Sequence, residues 1–390
     1  MEYTYTGLPM TPLPKGLANY QSKIVPDFAD KNKALLAGYE QEKKKAQEEY
    51  EREKAAYPAL VKAAEDQYAK EMEAYNKKSF GEKVVEKKVL GEDTRPVKRL
   101  PSTPYLREVE KPNLQTTYDY PVMANTYLYL AGFENKPANA VNIVVTLYGF
   151  DYTQPQTLSE QKTVSNLGNG GQTSSVTYYH TEFSYRQPLS IKVTTPDGKE
   201  VMNVTPPEFN NYKIYKSAES TTSPQVNSEL LIKTNEEKNM QDNLRAANEL
   251  INDKFGYAKI KRKAVIYYVK SKGGEYADLM TAYNDMSSGL KILTDDKATA
   301  QTKITAAVEN WEKALLESDP ANKKARIDKD VTIAIYYNLL EAYFALRVPE
   351  SGLEAIQKLN AMDLSTKQRK RKDEFEAAFN DLKKRMQTNQ

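Results

Sequence analysis

Along residues 33–78, apolar side chains return at helical intervals: Leu35, Tyr39, Ala46, Tyr50, Tyr57, Val61, Ala64, Tyr68, Met72 and Tyr75 fall mostly three, four or seven positions apart. Glu and Lys fill the positions between them and can pair at i,i+4. The pattern predicts a long helix or a helical hairpin, with Pro58 either kinking one helix or opening the first turn of a second. A continuous helix would run about 65–70 Å at 1.5 Å per residue. Ala and Tyr stand where Leu or Ile would strengthen a coiled-coil seam, so an adaptable contact is expected, and oligomerisation through 33–78 is open.

The segments on either side lack this period. Residues 1–32 hold Pro9, Pro12, Pro14 and Pro26 and predict an extended, partly disordered lead-in. Residues 79–116, with Gly81, Gly91, Pro96, Pro101, Pro104 and Pro112, read as a linker carrying one short helix in SFGEKVVEKKVLGED. From 117 to 215 the period falls to two. NTYLYLAGF (125–133), NAVNIVVTLYGF (139–150), SSVTYYHTEFSYR (174–186) and LSIKVTT (189–195) are strand-like, and PDGK (196–199) turns the chain into EVMNV. Short strands at this spacing predict an antiparallel β-sandwich, immunoglobulin-like or jelly-roll-like.

Residues 216–274 form an α/β connector. Met240, Leu244, Ala247, Leu250, Ile251 and Phe255 mark one face of a helix over 228–256, and AVIYYVKS (264–271) reads as a strand. Five helices are expected beyond it, near 275–293, 298–318, 324–347, 350–362 and 366–387. Ser365 and Gln368 suit a capping box, and Phe375, Phe379, Leu382 and Met386 line one face of the terminal helix. The fold class is therefore multidomain, with a long helical arm, a β-sandwich and a C-terminal helical region.

YYNLLEAYFAL followed by ESGLEAIQKLNAMD resembles a tetratricopeptide repeat: Tyr336, Leu339 and Tyr343 on a first helix, then Ala355, Leu359 and Met362 on a second. Its connection RVPESG is longer than the family's turn, and Leu340 replaces the family's small residue. Ala307, Trp311 and Ala314 in the stretch ending NWEKALLESDP are similar to a preceding second helix, closed by Asp319-Pro320, and Leu279 and Tyr283 are spaced like Leu339 and Tyr343. The resemblance covers about 275–364, two degenerate units and a cap, with Trp311 as a packing anchor. It implies either binding of a protein partner across the first helices, where Tyr337, Asn338, Glu341 and Phe344 form the candidate protein-contact surface, or, with so few repeats, a closed structural pack. The preceding unit would offer Ala277, Asp278 and Thr281, and no basic residues complete a carboxylate clamp. The whole layout is similar to secreted proteins of Bacteroidetes-like bacteria, which implies a periplasmic or cell-envelope setting; a cytoplasmic one is the alternative.

Composition narrows the chemistry. The 390 residues carry 56 Lys and Arg against 53 Asp and Glu, a net charge of +3 that argues against a nucleic-acid partner. No run approaches the length of a transmembrane helix. The opening MEYTYTGLPMTPLPKG has neither the basic nor the apolar region of a signal peptide and reads as a mature start given a new Met1. With no cysteine, thiolate chemistry, disulfides and zinc-thiolate sites fall away together.

His180 is the sole histidine and sits in a predicted strand, which suits a packing residue better than a triad or metal ligand. NLGNGGQTSS (166–175) lacks the Lys of a phosphate cradle and reads as a hairpin loop. KIKRK (259–263) and KQRKRK (367–372) read as solvated basic faces. The sequence thus predicts a non-enzymatic interaction or assembly scaffold without cofactor or metal. The alternative is a glycan-binding or glycan-processing protein that uses the tyrosine-rich strands; the chain has 28 tyrosines.

Overall fold

The computed structural model describes residues 1–83, 95–165, 173–270 and 274–390. The chain divides into two compact units: Met1–Val25 with Tyr118–Gln390, and Pro26–Thr117. The architecture is mixed α/β, with a long N-terminal helix, several sheets and a helical C-terminal region.

In the unit Pro26–Thr117, one unbroken helix, α1 (Ala29–Lys77), contains Pro58 and spans 49 residues, about 74 Å at 1.5 Å per residue. Its half-buried positions include Tyr39, Tyr50, Tyr57, Val61, Ala64, Tyr68, Met72 and Tyr75, and Ala46 is its one buried residue. Every apolar position predicted for the seam except the exposed Leu35 thus lies on this stripe. The predicted linker returns along the helix: Lys98 pairs with Glu65 at 2.9 Å, Arg107 with Glu42 at 3.3 Å, and Asn32 bonds the Gln115 backbone through both amide atoms. Residues 95–115 are a strap on α1, because their charges complement the acidic positions beside its stripe. Most of the short helix expected within 79–93 lies outside the described residues.

The larger unit holds three sheets. The five-stranded one runs β3 (Glu134–Asn135), β2 (Asn19–Pro26), β4 (Ala140–Leu147), β8 (Leu189–Thr194), β9 (Glu200–Val204). β4 alternates buried and half-buried residues along AVNIVVTL, as a β-branched strand with one face in a core must. In the four-stranded sheet the long β7 (Thr173–Arg186) pairs with β6 (Gln156–Ser165), β5 (Asp151–Tyr152) and β10 (Lys213–Lys216). Residues 166–172 of the glycine-rich stretch lie outside the described residues.

The predicted strand 125–133 is instead the end of helix α2 (Tyr120–Tyr127), a short stretch outside any strand and a turn at 130–133: the Asp119 side chain caps Val122 and a proline opens the first turn of the helix. The lead-in is likewise ordered. β1 (Glu2–Thr6) pairs antiparallel with β11 (Lys259–Lys263) in a two-stranded ribbon, and β2 enters the large sheet. KIKRK is therefore a strand, whose ladder Ala264 extends by bonding Met1, and 265–270 belongs to no strand, the reverse of the expected assignment.

Helix α4 (Ser228–Phe255) follows the short α3 (Pro207–Asn210) and carries four buried asparagines. Asn248 and Asn252 accept from the Tyr129 and Ala131 backbone N–H groups at 2.8 and 2.7 Å, and Asn252 donates to the Tyr129 carbonyl. Asn239 and Asn243 hold Gln187 and share the Lys213 ammonium. These amides satisfy backbone that no ladder covers, which is what a buried polar helix face requires. A Cβ on Gly256 would lie 2.3 Å from the Asn252 side-chain oxygen. Gly256→Ala should therefore dislodge that clamp and cost about 1–3 kcal/mol, read as a lower urea midpoint with an unchanged slope.

Five helices complete the unit: α5 (Ala277–Lys291), α6 (Lys297–Leu315), α7 (Lys329–Leu346), α8 (Pro349–Asn360) and α9 (Thr366–Thr388). Each packs on the next in sequence. Ser365 and Gln368 form the predicted capping box at the start of α9. One core joins these helices to the ribbon and includes Tyr3, Ala264, Trp311, Tyr337, Phe344 and Phe379.

Candidate functional site

Helix α7 is apolar nearly all round and buried along most of its length, as the central helix of a core is. Tyr337, Asn338, Glu341 and Phe344, the candidate partner-facing residues, are all buried, at 0%, 2%, 1% and 8% exposure. The face assigned to a partner is occupied by the chain's own extended segments. Both strands of the ribbon and Tyr267 contact these residues.

Each of the four residues has an internal partner. Glu341 accepts from the Tyr3 hydroxyl at 2.7 Å and from Arg262 Nε at 2.6 Å, tying α7 to β1 and β11 together. Asn338 clamps Tyr267 through both of its backbone groups, accepting from N–H at 2.7 Å and donating to the carbonyl at 2.8 Å. The Tyr337 hydroxyl donates to the Gln368 carbonyl at 2.6 Å. Phe344 stacks edge-on with Tyr5 and lies under the Arg262 guanidinium, 4.3 Å from its ring centre. Asp278, on the preceding first helix, is held by Arg326, which also holds Glu317.

Both basic runs are exposed or half-buried, and Arg262 of the first and Arg371 of the second are committed to internal partners. Arg371, in α9, donates to the Val265 carbonyl and the Tyr267 hydroxyl, and its guanidinium lies 4.8 Å from the Tyr337 ring centre. His180 is buried in β7, 3.5 Å from Glu182. Among the described residues no group of three or more His, Asp or Glu side chains is arranged to hold a metal ion. No helix among them is long and apolar enough to cross a membrane.

Burial pushes the Tyr337 phenol up to about 12. Burial, then the adjacent Glu341 charge, raises Tyr3; burial, then the hydrogen bond to Glu312, raises Tyr343. The unfolded chain releases these protons near the ordinary value of 10, the folded chain only above it. The stability they contribute is full below pH 10 and is lost as the pH rises from 10 through the folded values, about 12 for Tyr337 and higher for the other two. Urea unfolding at pH 9 and pH 11 should show the lower midpoint at pH 11, with a smaller difference in Tyr337→Phe. Equal differences in the two proteins would rule out Tyr337 as a contributor.

Sequence reasoning missed Tyr3, Arg262 and Tyr267 as partners of α7. One signal was present: Glu341 is the sole charged residue of α7 beyond its first turn, and a carboxylate buried among apolar residues calls for a cation or donors. No family model, curated protein or solved structure matches the chain.

Proposed function

We propose that the chain is a non-enzymatic interaction and assembly protein of a bacterial cell envelope, and that α1 with its strap is the partner-binding element. The observation that carries this reading is a 49-residue helix with one buried residue and a half-buried stripe of tyrosines. Tyrosine offers a large ring with a wet hydroxyl, the chemistry enriched in protein contacts. A second helix, from a partner or from another copy of the chain, would complete the seam that the extended strap covers in part. The sequential packing of α5 to α9 supports the finer reading of degenerate tetratricopeptide-like hairpins, used here as a closed framework. The two larger sheets we read as the halves of a sandwich, antiparallel apart from the β2–β3 pair.

The test uses the full chain with Tyr50, Tyr57 and Tyr68 each changed to Lys. Crosslinking and pull-down from the native cell should recover a specific protein with the parent chain and lose it with the variant, whose circular dichroism stays unchanged. The same proteins recovered in both would overturn the reading.

One observation favours a second reading, glycan binding. Of the nine tyrosines between 118 and 185, Tyr120 alone is buried, so the rings are not consumed by a core. Beside the four-stranded sheet the half-exposed Tyr212 donates to Asp151 at 2.6 Å, and Arg186 lies 4.6 Å from its ring centre. Retention of the chain on immobilised polysaccharide, abolished by Tyr212→Ala, would favour this reading over assembly.

A further inference from the structure

Beside the ribbon lies a cavity of about 450 Å³, within the range of small-molecule sites. Residues 5–8 and β11 line one side, and the start of α6, the end of α7 and the C-terminal half of α9 line the others, with Asp253 of α4 and Leu293 beside them. Its apolar surface comes from Ile260, Leu293, Phe344, Leu346 and Leu382. Ile260 is 41% exposed although it belongs to a paired strand, so the cavity gives an aliphatic side chain no protein cover.

Three guanidiniums line this space, and two are neutralised. Arg262 is paired with Glu341. Arg385 is bonded to Asp253, Asp381 and two backbone carbonyls. The third, Arg347, donates one hydrogen bond, to the Thr6 carbonyl at 2.6 Å, and forms no ion pair among the described residues. Burial pulls it below the ordinary guanidinium value, the mark of a cation that has lost water without gaining an anion. Lys297, exposed at the first turn of α6, adds a second cation on the rim without an ion pair among the described residues.

The backbone at Arg347 points the same way. It closes α7 in the left-handed conformation, with φ of 60°, a position that glycine usually fills. Placing a long cationic side chain there costs about 1 kcal/mol or more, and such strain gathers at ligand-binding positions. A planar guanidinium with unspent donors suits a carboxylate, which it can grip through two parallel hydrogen bonds.

We propose that this cavity binds an amphipathic monocarboxylate, its carboxylate on Arg347 and its apolar body against Ile260, Leu293 and Phe344. The proposal is independent of the arm as partner-binding element. Residues 5–8, forming one wall, would be held down by the bound ligand.

Isothermal titration calorimetry of the full chain with decanoate, 1-decanol and acetate tests it. Decanoate should bind saturably at one site per chain, and acetate, lacking the apolar body, should give no saturable heat. Arg347→Gln keeps an N–H donor for Thr6; it should weaken decanoate by roughly 10- to 100-fold and leave decanol unchanged. Ala378→Phe, which fills the cavity without altering its charge, should weaken decanoate and decanol together. No saturable decanoate binding, decanoate binding undiminished in Arg347→Gln, or undiminished in Ala378→Phe, would each overturn the proposal.

Discussion

Trp311→Ala is expected to lower the stability of the larger unit by about 3–5 kcal/mol, the usual cost of removing a large aromatic from a core. Trp311 is the sole tryptophan of the chain and is 1% exposed. It sits in α6 against a residual cavity of about 20 Å³ that Leu279, Val331 and Ile335 also line. That void is at the limit of what one water needs, so the native packing is close to complete, and the truncation would open a much larger one. Residues from α5, α6, α7 and the 264–270 segment converge there, so the loss would be felt across the helical region. Urea unfolding followed by circular dichroism should show the midpoint falling by roughly 1–2 M for a slope near 2–3 kcal/mol/M. Trp311→Phe should recover part of the loss. A midpoint unmoved by the alanine would show that this ring is not an anchor of the core.

The elements legible in the sequence are those whose period is local. The stripe from Tyr39 to Tyr75 named the half-buried face of α1, and the spacing of Met240, Leu244, Ala247 and Ile251 named the buried face of α4. Ser365 and Gln368 marked the start of α9 because a cap is a three-residue device. What stayed hidden depends on distant partners. Nothing within Glu2–Thr6 says that Lys259–Lys263 will pair with it, since strand pairing across more than 250 residues leaves no trace in either segment's own pattern. NTYLYLAGF alternates like a strand, yet its first residues finish a helix that Asp119 caps, and its last are held by asparagine amides from α4 in place of a neighbouring strand. For the candidate site the sequence identified the helix that matters and left open whether its face met a partner or was closed; it is closed. Asn338, Glu341 and Phe344 do meet non-helical segments, residues 3–5 and Tyr267, and Tyr337 meets α9, all of the same chain. The cavity at Arg347 left no signal, because its walls come from five separated parts of the sequence: 5–8, 253–262, 293–301, 344–347 and 378–385.

Glu341→Ala should be as damaging as the loss of Trp311, for an electrostatic reason. The carboxylate is 1% exposed and holds both Arg262, whose side chain is 25% exposed, and the buried Tyr3 hydroxyl. Removing it leaves a mostly buried cation without its anion and a buried hydroxyl without its acceptor, which together cost about 3–5 kcal/mol. The damage should be directional. Tyr3 anchors β1, so the ribbon should loosen first, and amide exchange across residues 2–6 should accelerate before that of α5 or α6. Replacing all three partners tests whether the pair itself stabilises the fold. Glu341→Leu combined with Arg262→Met and Tyr3→Phe removes every stranded polar group at once, and should return stability to within about 1 kcal/mol of the parent or above it. Equal losses in the single and triple variants would instead assign the cost to shape, because both would then fail for want of packing. A single variant as stable as the parent, with unchanged exchange in β1, would show that Glu341 does not hold the ribbon on α7. The contrast between the two proteins therefore separates a charge that must be matched from a charge that strengthens the fold, and the geometry at Glu341 favours the first: its role is to fix which strand lies on α7.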